Sequence, residues 1–148
     1  MKRSRARPPS SEDRRADFPS PRPLLDKLGV KAQAKVCVLG VHDMRFHGTL
    51  ERRTANVSLR LRTSCDLIFY GADTNEALAK LKLLRHKIRE NGAIWVISRK
   101  GAGATIRDTD VIAAARAAGL VDNKVVSFSP THTSLRLVVP VALRKEQR

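Results

Sequence analysis

Three short runs of apolar residues, each closed by a glycine or a polar residue, constrain the fold of this chain most. They are Val36–Leu39, Asp66–Tyr70 and Ala93–Ile97, and the first two stop at Gly40 and Gly71. Short, nearly continuous apolar runs are typical of parallel strands that are buried on both faces. Because helical patterns separate these runs, the chain predicts an α/β fold built from right-handed strand–helix–strand crossovers.

Four segments outside these runs are predicted to be helical, and in the third of them apolar residues recur at spacings of three and four. The predicted helices are Leu24–Leu28, His42–Arg53, Thr74–Glu90 and Asp108–Ala118. We expect Thr74 or Asn75 to cap the third helix, and Asn91-Gly92 to end it.

Two further segments complete the predicted sheet. Val57–Leu61 alternates apolar and polar residues, which is typical of a half-exposed strand near an edge. Val121–Phe128 and Leu135–Val139 flank a turn, and we expect them to pair as an antiparallel hairpin. The expected architecture is a Rossmann-like three-layer sandwich, whose mostly parallel sheet ends in this C-terminal hairpin.

Composition divides the chain of 148 residues, which has a net charge of +15. Residues 1–23 are rich in Arg, Pro and Ser, so we expect a disordered basic tail there. The folded domain is predicted at residues 24–143, with a short basic tail at residues 144–148. Because the domain itself is also basic, candidate partners are nucleic acid, bound weakly and without sequence preference, or an acidic protein. The alternative is a basic composition that serves no anionic partner.

The two cysteines, Cys37 and Cys65, lie in or beside apolar runs, and we expect buried thiols. Their number and spacing fit neither a disulfide framework nor a zinc site. No apolar run approaches the roughly 20 residues that cross a bilayer, and no apolar region follows the basic N-terminus as in a secretory signal. We therefore expect a cytoplasmic protein with no membrane association and no metal site.

Several motifs resemble the class I S-adenosylmethionine-dependent methyltransferase fold. Asp66-Leu67-Ile68 matches one strand of those domains, Asn91–Val96 matches another, and Ala118–Val121 matches the entry to their final hairpin. The resemblance implies a methyltransferase-like fold.

A closer resemblance, over Leu24–Val139, is to a bacterial family of short Rossmann-like domains whose function is not known. The matching motifs are Leu28–Lys31, Val36–Gly40, Gly92–Val96, Ala118–Val125, Thr131 and Leu135–Leu137. The chain departs from that family at Ala32-Gln33, at Ser98–Gly101 and at His132, which stands where the family has Trp.

A dinucleotide or S-adenosylmethionine site needs several glycines after the first strand and an acid after the second. Only Gly40 follows the first strand, and Arg62-Thr63-Ser64 follows the second. We therefore expect no cofactor, S-adenosylmethionine included, and we assign no catalytic residue. The residues that would contact a cofactor, if one bound, are Gly40, Asp43, Lys100, Gly101 and Gly103.

Cations form the other candidate site. A nucleic-acid interface would use Lys80, Lys87, Arg89, Arg99 and Lys100. The alternative is a solvated charged surface. The four histidines, His42, His47, His86 and His132, show no metal-ligand spacing.

Taken alone, the sequence favours a Rossmann-like domain with a non-catalytic binding or regulatory role. Two alternatives stay open because fold does not assign function. One is a divergent S-adenosylmethionine-dependent methyltransferase-like enzyme, and the other is a basic nucleic-acid-associated protein.

Overall fold

A computed structural model describes residues 21–144. Residues 1–20 of the predicted N-terminal tail lie outside the described residues. Residues 145–148 of the predicted C-terminal tail also lie outside them. The first described element is helix α1, Pro21–Lys27, which begins ahead of the predicted domain boundary at Leu24. None of the helices within residues 21–144 is long and apolar enough to cross a membrane.

Six strands form one sheet among the described residues. They are β1 Val36–Leu39, β2 Val57–Ser58, β3 Cys65–Gly71, β4 Ile88–Arg99, β5 Val121–Ser127 and β6 His132–Val138. The strand order is β2-β1-β3-β4-β6-β5, with parallel pairing from β2 to β4 and antiparallel pairing of β6 with both its neighbours. The further helices are α2 Met44–Arg53, α3 Asn75–Leu78, α4 Leu81–Arg85 and α5 Asp108–Ala117. The predicted mostly parallel sheet with a C-terminal antiparallel hairpin is confirmed.

Helices cover both faces of the sheet, because side chains alternate between the faces along each strand. On one face α1 and α2 pack against Phe69 and Trp95. On the other face α3, α4 and α5 pack against Ile68 and Ile94. The fully buried Trp95 donates its indole N–H to the carbonyl of Leu28, at 3.1 Å, and so ties the end of α1 to the sheet.

The predicted helix over Thr74–Glu90 is wrong. Thr74 does cap a helix, accepting a hydrogen bond from the N–H of Ala77 at 3.0 Å, but only the short helices α3 and α4 follow. Strand β4 already begins at Ile88, held by the N–H of Cys65 donating to the carbonyl of Lys87 at 2.9 Å. Pairing with β3 thus overrides the helical periodicity of the sequence.

Gly92 does not end a helix, as the sequence led us to expect, but lies inside β4. A Cβ at this position would come within 2.8 Å of the carbonyl oxygen of Asp66. The register of β3 against β4 shifts between Cys65 and Leu67, so the two backbones approach more closely here than a side chain permits. Glycine at position 92 therefore serves strand packing.

Strand β2 lies at the sheet edge, as predicted, but it is shorter than the expected Val57–Leu61 segment. The hydroxyl of Ser58 accepts a hydrogen bond from the N–H of Arg60, at 3.0 Å, and donates one to its carbonyl, at 2.8 Å. Such a local turn competes with the sheet ladder and ends the strand. As a result β2 pairs only with Val36 and Cys37 of β1.

Candidate active site

A cleft opens where the carboxyl ends of β1, β3 and β4 meet the loops that follow them. Its volume is about 380 Å³, in the range of small-molecule sites. Open α/β sheets bind ligands at this edge, because the loops diverge there. The lining residues are Gly40, Val41, His42, Asp43, Gly71, Asp73, Ile97, Arg99, Phe128, Ser129, Thr131 and His132.

Two facing glycines form the floor of the cleft. Gly40 has a φ of +72°, a left-handed conformation that turns the chain away from the sheet directly after β1. A Cβ on Gly71 would lie 2.1 Å from the carbonyl oxygen of Gly40. The ends of β1 and β3 can therefore meet only because both residues lack side chains.

Asp43 stands at the entry to α2 and serves as its N-cap. Its Oδ1 accepts a hydrogen bond from the N–H of Phe46 at 3.0 Å. The loop before it is held by His47, whose Nε2 lies 2.6 Å from the carbonyl oxygen of Val41. One carboxylate oxygen is thus used by the backbone, and the other is left for a ligand.

Asp73 repeats this arrangement after β3. Its Oδ1 accepts a hydrogen bond from the N–H of Arg99 at 2.9 Å, and its carbonyl accepts one from the hydroxyl of Thr105 at 2.6 Å. Both bonds link the β3 loop to the end of β4. The cleft is therefore bordered by two half-buried carboxylates, Asp43 and Asp73, each fixed through a single oxygen.

The β5–β6 turn supplies the third wall. His132 places Nδ1 2.8 Å from the hydroxyl of Thr131, so its Nε2 is left for other partners. Phe128 lies below it and packs edge-on against Phe46, with ring centroids 4.8 Å apart. A polar ring nitrogen thus stands beside an apolar base, and Arg99 adds an exposed cation.

The sequence-predicted cofactor residues divide between this cleft and the surface beside it. Gly40 and Asp43 line the cleft, whereas Lys100, Gly101 and Gly103 are not among its lining residues. Lys100 donates to the hydroxyl of Ser127 at 2.7 Å, and the two glycines lie in an exposed 3-10 turn.

Sequence reasoning missed Asp73 and His132 as cleft residues. Asp73 could have been found as the first acid after the second buried strand. For His132, the only indication in the sequence was that it stands where the similar bacterial family has Trp. Its place in the cleft depends on the β5–β6 hairpin folding back beside β4.

The edge strand β2 contributes no acid to the cleft. It ends at Ser58, which pairs with Cys37, whereas β1 continues to Leu39. The guanidinium of Arg62 turns back and donates to the carbonyl of Val36 at 3.0 Å. Residues 59–64, which follow β2, therefore supply no acidic side chain to this edge of the sheet.

The five candidate nucleic-acid residues lie on separate parts of the molecule. Arg99 is at the carboxyl end of β4 and Arg89 is near its amino end, about 30 Å away along an extended strand. Arg89 lies 3.3 Å from Asp66 in an ion pair, and Lys80 is exposed between α3 and α4. The predicted cationic helix face over residues 80–89 does not exist, because the helix ends at Arg85.

No protein-family model and no curated protein matches the chain. Solved structures do match. An S-adenosylmethionine-dependent methyltransferase from Aquifex aeolicus superposes with a TM-score of 0.64 over 86% of this chain and 94% of its own, at 14% identity. The fold is that of the S-adenosylmethionine-dependent methyltransferases.

Two further enzymes with this fold extend the comparison. A precorrin-6y C5,15-methyltransferase from Geobacter metallireducens gives a TM-score of 0.58 at 9% identity, over 80% of this chain and 87% of its own. The mitomycin 7-O-methyltransferase MmcR gives 0.55 at 10% identity over 72% of this chain, which spans only 49% of that longer protein. Identities this low show the fold alone.

The comparison contradicts the expectation of a non-catalytic binding or regulatory protein. The similar structures described above are all methyltransferases, and the edge of the sheet where this fold places a ligand carries a formed cleft. Both findings favour the alternative that the sequence left open, a divergent methyltransferase-like enzyme. Weak motifs misled the sequence interpretation, because a cleft can be built from a single turn glycine and acids on several loops.

Proposed function

We propose that this chain is a divergent methyltransferase-like enzyme that uses S-adenosylmethionine in the cleft between Gly40 and His132. The observation that carries the proposal is the pair of anchored carboxylates, Asp43 and Asp73, at the carboxyl ends of adjacent parallel strands. The fold similarity to methyltransferases supports it.

The residues of the cleft fit the methionine half of this cofactor. That half carries two positive charges, on the ammonium and the sulfonium, and one carboxylate. Asp43 and Asp73 would bind the positive charges through their remaining oxygens, and Arg99 would bind the carboxylate. The ribose finds no acid from β2, so its contacts would come from other residues of the cleft.

When bound, S-adenosylmethionine supplies a methyl group on a sulfonium that a substrate nucleophile can take directly. His132 would accept the proton of that nucleophile at Nε2, since its Nδ1 is engaged by Thr131. Ile97 and Phe128 would exclude water from the reacting atoms.

Calorimetric titration with S-adenosylmethionine and S-adenosylhomocysteine tests the proposal. We expect a dissociation constant in the micromolar range, as enzymes commonly show for their substrates. Asp43→Asn and Asp73→Asn should each weaken binding by about 10-fold or more, because each removes a charged hydrogen-bond acceptor. Asp108→Asn is the matched control, since Asp108 is exposed and lies outside the cleft.

A folded protein that shows no binding at millimolar cofactor would overturn the proposal and restore the sequence-based expectation that S-adenosylmethionine is not bound. Equal weakening by Asp108→Asn would also count against it. Circular dichroism on each variant separates lost binding from lost folding.

A cytoplasmic location and weak nucleic-acid binding stay predictions from composition. They are compatible with the enzyme proposed above and independent of it.

A further inference from the structure

A second cavity lies at the opposite, amino edge of the sheet, on the face covered by α1. Its volume is about 320 Å³. The α1–β1 connector forms one wall, and the amino ends of the pairing between β3 and β4 form another. The lining residues are Gly29, Lys31, Gln33, Ala34, Asp66, Leu67, Asn91, Gly92, Ala93 and Arg136. None of these residues lines the cleft at the carboxyl edge.

Arg136 is the central cation of this cavity. It lies on β6 beside Trp95 of β4, within the interior of the sheet, and is half-buried. Within residues 21–144, its one side-chain hydrogen bond is to the amide oxygen of Asn123, at a long 3.4 Å. Among residues 21–144 no carboxylate pairs with it. A half-buried guanidinium has lost part of its hydration, so an anion that binds it would be favourable.

Other cations surround Arg136. Lys124 is its direct cross-strand partner on β5, and like charges in that relation repel. Arg144 also lies near, and burial together with this neighbour lowers the pKa of Arg136. Lys31 lines the same cavity from the α1–β1 connector and is exposed. Arg136 and Lys31 thus line the cavity, and two further cations, Lys124 and Arg144, lie close to Arg136 outside the lining.

The one carboxylate in the cavity lining is already used. Asp66 Oδ2 accepts a hydrogen bond from the N–H of Lys35 at 2.9 Å, and Oδ1 lies 3.3 Å from Nε of Arg89. Both of its oxygens thus serve the junction of β1, β3 and β4. The positive charge around Arg136 is left for an anion from outside.

We propose that the amino-edge cavity binds a phosphate group, with Arg136 as its main ligand and Lys31 as the second. The planar guanidinium can bind two phosphate oxygens at once, and the neighbouring lysine and arginine add charge. The phosphate could belong to a small phosphorylated molecule or to a nucleic-acid backbone, and both present the same oxygens to Arg136.

Titration at constant ionic strength with pyrophosphate, and in parallel with a short single-stranded RNA, tests this site. We expect Arg136→Gln to weaken binding by about 10-fold or more, because a charged hydrogen bond is lost. Lys31→Gln should weaken it by a few-fold, and since Lys31 is exposed this variant keeps the test valid if Arg136→Gln does not fold. Lys82→Gln, exposed on α4, is the control of equal charge change.

If pyrophosphate binds tightly and the RNA binds no more tightly, the result supports the site and assigns it to small phosphorylated molecules. RNA binding that both cavity variants weaken supports the site and assigns it to a nucleic-acid backbone. The proposal fails if neither probe binds, or if Lys82→Gln weakens binding as much as Lys31→Gln. Asp73→Asn should leave binding of either probe unchanged, which separates this site from the methyl-donor cleft.

Discussion

The two ends of the sheet differ in charge although they enclose similar volumes, about 380 Å³ at the carboxyl edge and about 320 Å³ at the amino edge. At the carboxyl edge two carboxylates keep one free oxygen each, and they face a mixed wall of His132 and Arg99. At the amino edge both oxygens of Asp66 contact groups of the protein, and Arg136 is left with cationic neighbours. A cation-bearing ligand suits the first site and an anion suits the second.

What a cavity can bind thus depends less on the residue types in its lining than on which of their hydrogen-bonding atoms have no partner in the protein. Asp66 lies on β3 and Asp73 follows the end of that strand, and both residues are half-buried. Asp66 accepts a hydrogen bond from the N–H of Lys35 through one oxygen and forms an ion pair with Arg89 through the other, so both oxygens contact the protein. Asp73 accepts from one N–H and keeps an oxygen for a ligand.

The largest expected effect on stability comes from a substitution at the carboxyl edge of the sheet. Gly71→Ala would place a Cβ 2.1 Å from the carbonyl oxygen of Gly40, so β1 and β3 must separate. We expect a loss of about 3 kcal/mol or more in the free energy of unfolding, as for severe overpacking. Chemical denaturation measures it. Gly48→Ala is the control: its nearest neighbour is Arg52 at 3.7 Å, and alanine in helix α2 should stabilise by about 0.5–1 kcal/mol.

The corresponding change at the amino edge should cost less. Gly92→Ala would bring a Cβ to 2.8 Å from the carbonyl of Asp66, a milder clash than the one at Gly71. We expect a loss of about 1–3 kcal/mol, measured by the same denaturation experiment. A loss larger than that of Gly71→Ala would mean that the amino edge, and not the floor of the cleft, is the more tightly packed end.

A third prediction uses pH, because the amino half of the sheet contains a buried thiol pair. Sγ of Cys37 lies 3.1 Å from Sγ of Cys65, and both residues are fully buried. Burial and the neighbouring Cys37 raise the pKa of Cys65 from 9.0 to about 12. The thiol therefore ionises in the unfolded chain first, so its contribution to stability is complete below pH 9 and is lost as the pH rises towards 12.

We expect the free energy of unfolding to fall by roughly 1 kcal/mol per pH unit between about pH 9 and 11 on account of this group. Cys65→Ala should flatten that slope, whatever it does to stability at pH 7. Urea denaturation of both proteins at several pH values measures the difference. Parallel slopes for the two proteins would refute the assignment. Burial also raises the pKa of Tyr70, which adds to the slope in both proteins alike.

The smallest expected effect concerns the ion pair at the amino edge. Arg89 is exposed and pairs with Asp66 at 3.3 Å, and surface pairs of this kind contribute little. Arg89→Gln should change the free energy of unfolding by no more than about 0.5 kcal/mol. It should also free one oxygen of Asp66 and so weaken pyrophosphate binding slightly. Titration of this variant with pyrophosphate measures how much the ion pair of Asp66 contributes to anion binding at this edge.

Much of the fold could be predicted because the signals for it are local. The apolar runs of β1, β3 and β4, the C-terminal hairpin and the cap at Thr74 are all encoded by neighbouring residues. The resemblance to methyltransferases was visible in the same segments, and the solved structures confirm it for the fold. The helix predicted over residues 74–90 failed because its periodicity competes with strand pairing, which a local pattern cannot show.

The α/β class, the antiparallel pairing of the last two strands and the excess of positive charge follow from the sequence alone. The folded chain alone shows that Asp43, Asp73 and His132 share one cleft, and that Arg136 and Lys31 line a second cavity. The physical reason is that these groups come from segments far apart in the chain. Their proximity depends on parallel pairing across the sheet, and their chemistry depends on which hydrogen bonds that pairing leaves unmade.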